Sequence, residues 1–354
     1  MSGRITGSGG GSMFADGRRM FALGRSMFAS RPFMSARRAL AFGAAFSIGC
    51  APAEDGGPGS EPDSGDGVAE TFVAPRDQDV LLADLRWDDG GLPTIGTPVN
   101  LTQRPGYDDQ PYFVPDGSGL WYTAVDEHDG QADIWRYDFQ PTMVSRVTQS
   151  NPESEYSATP LPDGSGISAI RVEADSTQRL WRFDPDGSGA AIVFPDVQPV
   201  GYHAWADENT VAMFVLGDPP TLRRADLRTG RADVVAEDIG RSLHSIPGTD
   251  DVSYVQRRGT ESSTIMRLPA NGGRPTSIVD AVDGGDFHAW APDGTLLMAS
   301  GAVIYALAPG AEEWVPIADF TDLAISIGRL AVSPDASQIA MVAEVAELEG
   351  FTSN

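Results

Sequence analysis

The phrase Pro-Asp-Gly-Ser/Thr returns along this chain at a nearly fixed interval, and that interval limits the fold more than any single residue does. It stands at Pro115-Asp116-Gly117-Ser118, Pro162-Asp163-Gly164-Ser165 and Pro292-Asp293-Gly294-Thr295, and in altered form at Pro334-Asp335-Ala336-Ser337. Asp207-Glu208-Asn209-Thr210 and Pro247-Gly248-Thr249-Asp250 fall between them, so that successive copies lie 40–47 residues apart. This is the period of a four-stranded propeller blade. Proline presets φ, and Asp and Gly tolerate the positive-φ positions of a tight reversal, so each phrase is chemically a hairpin turn between two strands. An out-of-phase copy, Pro185-Asp186-Gly187-Ser188, falls where the next hairpin of the second blade turns. The same stretch, 184–189, imitates the start of a calcium loop, but Pro195 stands where a bidentate Glu would close it.

Apolar and alternating runs around these turns predict an all-β, six-bladed propeller. Blade one has strands near 112–114, 120–124, 133–137 and 145–148; blade two near 157–161, 167–172, 179–183 and 191–194. Blade three follows near 202–205, 211–215, 221–226 and 233–236. Blade four lies near 242–246, 252–256, 263–268 and 276–279, and blade five near 287–290, 296–299, 303–307 and 314–317. The C-terminal part supplies two more strands, near 329–332 and 339–342. Residues 80–85 and 98–102 read as the missing third and fourth, so the last blade is closed by strands from both termini, which removes the free sheet edge.

The segment before the blades reads as an address. Arg37-Arg38, an apolar run of about ten residues and Ser47-Ile48-Gly49-Cys50 describe a secretory signal too short to span a bilayer. Ser47–Cys50 resembles a bacterial lipobox, which implies that Cys50, the only cysteine, carries lipid. Ala51 after it implies sorting to the outer membrane. Residues 51–74 are rich in Gly, Pro, Asp, Glu and Ser, the composition of a disordered tether. The expected organisation is an N-terminal extension and signal over 1–49, a linker over 50–75, the propeller over 76–346 and a tail over 347–354.

Charge narrows the partners. Fifty acidic residues against 25 basic ones give a net charge of −25, so nucleic acid and anionic membrane faces are disfavoured and the membrane is reached only through the lipid. Every basic residue is Arg, which excludes lysine-based nucleophiles and phosphate loops.

Leu101-Thr102 followed by Asp109-Gln110-Pro111-Tyr112-Phe113-Val114-Pro115-Asp116-Gly117 resembles the repeat of TolB-like propellers. Residues 284–294, Gly-Gly-Asp-Phe-His-Ala-Trp-Ala-Pro-Asp-Gly, resemble another copy. The likeness covers about residues 76–345. It implies a location in the cell envelope, facing the periplasm, and binding of a protein, peptide or glycan around a central channel. TolB carries a further α/β domain, in whose place this chain has a linker. Prolyl oligopeptidases also contain such a propeller, but no Gly-x-Ser-x-Gly nucleophile elbow is present.

Four histidines are present. His203, His244 and His288 fall near the starts of the first strands of blades three, four and five, which line the channel. Three neutral imidazoles from adjacent blades are candidate ligands for a divalent transition metal. Gln110 is a candidate fourth group, an arrangement that resembles the metal site of oligogalacturonate lyases. His128, in a turn, reads as exposed and inert. The leading expectation is a non-enzymatic binding or scaffold module with no cofactor and no catalytic residue. The alternative is a metal-dependent polysaccharide lyase or hydrolase using the channel-mouth histidines.

Overall fold

A computed structural model describes residues 77–87, 91–126, 128, 130–259 and 262–345 of the protein. The signal segment, Cys50, the linker 50–75 and the tail 347–354 lie outside the described residues. The described residues form six antiparallel sheets arranged as the blades of a propeller. Blade one is β4 (Asp108–Phe113), β5 (Gly119–Val125), β6 (Ala132–Phe139) and β7 (Thr142–Arg146); blade two is β8 (Ser154–Pro160), β9 (Ile167–Val172), β10 (Gln178–Phe183) and β11 (Ala191–Ile192). Blade three is β12 (Val200–Trp205), β13 (Thr210–Val215), β14 (Thr221–Asp226) and β15 (Arg231–Glu237). Blade four is β16 (Ile239–Ser245), β17 (Asp251–Arg258), β18 (Ser262–Pro269) and β19 (Thr276–Asp280). Blade five is β20 (His288–Trp290), β21 (Leu296–Ser300), β22 (Val303–Leu307) and β23 (Val315–Asp319).

The repeated phrase makes the turn its chemistry predicts. In blade one Gly117 N donates to Val114 O (2.8 Å), Val114 N to Gly119 O (2.9 Å) and Ser118 N to Asp116 Oδ1 (2.9 Å). The same three bonds recur around Gly164 and Ala336, and around Gly294 the closing bond is one residue shorter, from Ala291 N to Thr295 O (2.8 Å). Gly117, Gly164 and Gly294 hold φ of 74°, 70° and 89°, and Ala336 is forced to 58° in the same place. The out-of-phase copy joins β10 to β11, with Gly187 N donating to Asp184 O at 2.9 Å.

The ring closes as the split repeat predicts. Blade six pairs β24 (Ile325–Val332) with β25 (Gln338–Val345), and β25 with β1 (Gln78–Trp87) in the register Val80↔Val342, Leu81↔Met341. The outer position is shared. β3 (Val99–Asn100) pairs with Leu81 and Leu82, and β2 (Pro93–Ile95), absent from the sequence reading, pairs with the far end of β1. Thr102 then clasps the inner half: its Oγ1 donates to Asp79 Oδ1 (2.8 Å) and accepts from Val80 N (3.1 Å). Thr148 does the same for Asp133 and Ile134 N. A hydroxyl thus satisfies a third-strand amide where the fourth strand ends, which accounts for the repeated Leu-Thr and Val-Thr endings.

Apolar packing lies between blades, one cluster to each of the six seams. Ile170, Leu180, Trp205 and Met213 fill the seam of blades two and three; Leu81, Leu297, Ile304 and Met341 fill that of five and six. Second strands are covered on both faces, and β13 is buried at every position. Such strands lose the inside/outside alternation and read as continuous apolar runs.

Candidate ligand-binding channel

The first strands of all six blades enclose a central cavity of about 500 Å³. Each first strand pairs on one side only, so its other backbone edge faces the channel. Depth is set by distance from the residue that closes the repeated turn: Val114, Leu161, Ala206, Ile246, Ala291 or Ser333. Four residues earlier stand Gln110, Ser157, Tyr202, Ser242, Phe287 and Arg329, one from each blade, all lining the cavity. At the opposite end the lining includes Pro115, Pro160, Pro247, Pro292 and Pro334.

Counting from these turns separates the depths of the three histidines. His203 and His288 lie three residues before Ala206 and Ala291, but His244 lies two before Ile246. Its register confirms the offset: Trp205 and Trp290 answer to Ser245, so His244 takes the place of Ala204 and Ala289. A one-residue offset in a strand reverses the face a side chain occupies.

His203 and His288 are staples between blades. Ser168, in the second strand of blade two, contacts His203 Nε2 (2.7 Å) and accepts from Trp205 Nε1 (2.9 Å). Ser253, in the second strand of blade four, contacts His288 Nε2 (2.7 Å) and accepts from Trp290 Nε1 (2.8 Å). Both serine hydroxyls also lie near a first-strand carbonyl, Thr159 O and His244 O, each at 3.2 Å. His288 N donates to Ser242 Oγ (3.0 Å), whose proton is then directed to His288 Nδ1 (2.9 Å), so the hydrogen-bond network assigns the ring proton to Nε2. In the other seam the equivalent atoms, Ser157 Oγ and His203 Nδ1, have no partner among the described residues.

Burial keeps these rings neutral. It pushes His203 down to about 3 and His288 well below the ordinary imidazole range, with His244 adding to the shift of His288. His244, partly exposed, is pushed down to about 4 by burial and by the positive charge of Arg329. Its ring meets that of His288 edge-on at 4.9 Å. The three imidazoles do not converge as one cradle, and no group of three or more His, Cys, Asp or Glu side chains among the described residues is placed to hold a metal. Gln110 is held at φ 59°, and its Oε1 accepts from Thr123 Oγ1 and from Ser157 N, both at 2.8 Å, bridging blades one and two. His128 is exposed in its turn, as expected.

Arg329 is the residue the sequence reading missed. It rises from β24 and spans the channel: Nε lies 3.1 Å from Asp109 Oδ1 of blade one, and an Nη donates to Tyr202 Oη of blade three at 3.1 Å. Its guanidinium lies 4.0 Å from the Phe287 ring centre and 4.9 Å from that of Tyr202. Tyr107 Oη donates to the other oxygen of Asp109 at 2.9 Å. Burial works against the Arg329 charge, and the nearby Asp109, Tyr202 and Tyr107 more than restore it. The available signal was its depth, since aligning the blades on their turns puts one cation in a ring of Gln, Ser, Tyr, Ser and Phe.

A structure of a TolB-type protein from Agrobacterium tumefaciens superposes with a TM-score of 0.58 at 14% identity, over 76% of this chain and 98% of that one. The fold is that of the TolB-type propellers. A chain of a nidogen/laminin complex matches at TM-score 0.50 and 11% identity, over 76% of this chain and all of that one. A gluconolactonase from Xanthomonas campestris matches at TM-score 0.50 and 10% identity, over 68% of this chain and 86% of that one. No family model matches the chain, and no curated protein matches its sequence. These likenesses establish the ring, which hosts both binding proteins and enzymes, so function rests on the site itself.

Proposed function

We propose that this protein is an envelope-anchored binding module that takes a partner's segment into its central channel. The observation that carries this reading is the state of the channel wall. A cavity of about 500 Å³, within the range of ligand-binding pockets, is framed by apolar side chains and free strand edges. His203 and His288 are neutral and serine-bound, and the deep cation faces a carboxylate. Acid–base work needs a group poised to exchange a proton near neutral pH. His203, His244 and His288 are instead held neutral across that range. The polysaccharide lyase or hydrolase reading has no assembled metal cradle among the described residues to support it.

The anchoring part of the proposal rests on Ser47–Cys50 and the acidic tether, with the outer membrane as its destination. Two measurements test the whole. Mass spectrometry of the mature N-terminus is expected to find diacylglyceryl-modified Cys50. A photo-crosslinking residue at Pro292 or Pro334 is expected to capture an envelope partner in cells, whereas one at Val234 on the outer face is not. Capture from Val234 alone, or metal-dependent cleavage of polygalacturonate by the purified protein, would overturn the channel-binding reading.

A further inference from the structure

The channel has chemically different ends. The turn-side mouth is rimmed by prolines, while the far end carries two arginines, Arg329 and Arg241, that line the same cavity. Arg241 immediately precedes Ser242 of the deep ring, is exposed, and makes no ion pair among the described residues. An unpaired Arg that lines the same cavity as a second Arg is a conspicuous place for an anion on a chain of net charge −25. Guanidinium groups match a carboxylate in shape as well as charge. Arg329 is engaged through Nε and one Nη, and the other Nη makes no hydrogen bond among the described residues.

The rest of the wall selects what carries that anion. Gln110, Ser242, His203 and His288 already bond to neighbouring strands, which leaves few side-chain partners for a polyhydroxylated sugar. Apolar surface and unpaired backbone edges suit an extended peptide. Arg329 also bridges blades one, three and six across the channel, so a chain running past it would break contacts that a chain ending at it would keep. From the proline rim to the deep ring is five residues of strand, about 16 Å at strand rise, room for four or five extended residues.

We propose that the channel receives the C-terminus of an apolar peptide through the proline mouth, with the terminal carboxylate held between Arg241 and Arg329. This rests on the channel-binding reading above and names its ligand. The test is affinity selection by the purified propeller from a pooled octapeptide library with free carboxy termini, against the same library amidated, with digalacturonate as a saccharide probe. Peptides with apolar final residues are expected from the free-acid pool alone. Arg241→Ala, at an exposed position, is expected to weaken them about tenfold, and Arg241→Glu to abolish binding. Equal selection from the amidated pool, unchanged binding by Arg241→Ala, or binding of digalacturonate alone would overturn the proposal. Crosslinking from Pro292 with equal selection from both pools would sink the carboxylate inference and leave the channel reading standing. Failure of both experiments would sink both.

Discussion

If Ser253 is the acceptor that joins blades four and five, removing its hydroxyl should cost far more than the loss of one small surface group. Ser253 is fully buried and receives Trp290 Nε1 at 2.8 Å and contacts His288 Nε2 at 2.7 Å. Ser253→Ala leaves both ring N–H groups in place without an acceptor. A buried donor stranded in this way costs about 1–3 kcal/mol. His288 is fully buried and should bear the upper part of that range, while Trp290 is partly exposed and should bear the lower. Together they give about 3 kcal/mol, or roughly 8 °C in melting temperature for a domain of this size. Urea unfolding at pH 7.5 measures the loss. Adding His288→Leu removes one stranded donor, so Ser253→Ala/His288→Leu should be less destabilised than the sum of the single variants by at least about 1 kcal/mol. A Ser253→Ala protein within about 0.5 kcal/mol of the parent would refute the staple and return His288 to the channel as a free ligand group.

Further outcomes follow from the same structure. Because the His203 ring titrates at about 3 in the folded chain and near 6.5 when unfolded, its contribution is intact above pH 6.5 and is lost as pH falls toward 3. His203→Gln should therefore lose less stability than the parent between pH 7 and 5, by about 2 kcal/mol, and identical pH profiles would contradict the assignment. Asp108 runs the other way: burial, only partly offset by Arg104, pushes its carboxyl up to about 6, so the folded state loses stability as pH rises from about 4 through 6. Asp108→Asn should flatten that part of the urea profile. Ala336→Gly should raise stability by about 0.5–1 kcal/mol, because φ of 58° is strained for Ala and free for Gly; a loss on thermal unfolding would count against the turn. Leu81→Ala, in the strand that closes the ring, should cost about 3 kcal/mol and lower the single global transition, whereas a separate early transition would mean that closure is a local matter.

Blade count, turns and the closing of blade six by both ends of the domain were all legible in the residue pattern. These are set by local chemistry repeated at a fixed period: Pro, Asp and Gly dictate a reversal within four residues, and alternating side chains dictate a strand. His203 and His288 were also legible as channel-strand residues, but their work was not. Each is defined by a serine in the preceding blade, 35 residues earlier in both cases, and nothing within His-Ala-Trp says that this serine exists. His244 looked like their third member until the turns fixed its depth one residue away, where strand alternation turns it to the other face. Arg329 carried no motif at all. Its meaning comes from Asp109, Tyr202 and Phe287, brought to it from three other blades only when the ring closes. Repeats reveal what each blade does alone, and the channel is made of what different blades do together. Its charge balance, its neutral histidines and its two unlike ends were therefore decided by tertiary structure, because each depends on contacts between residues that the repeat places in separate units.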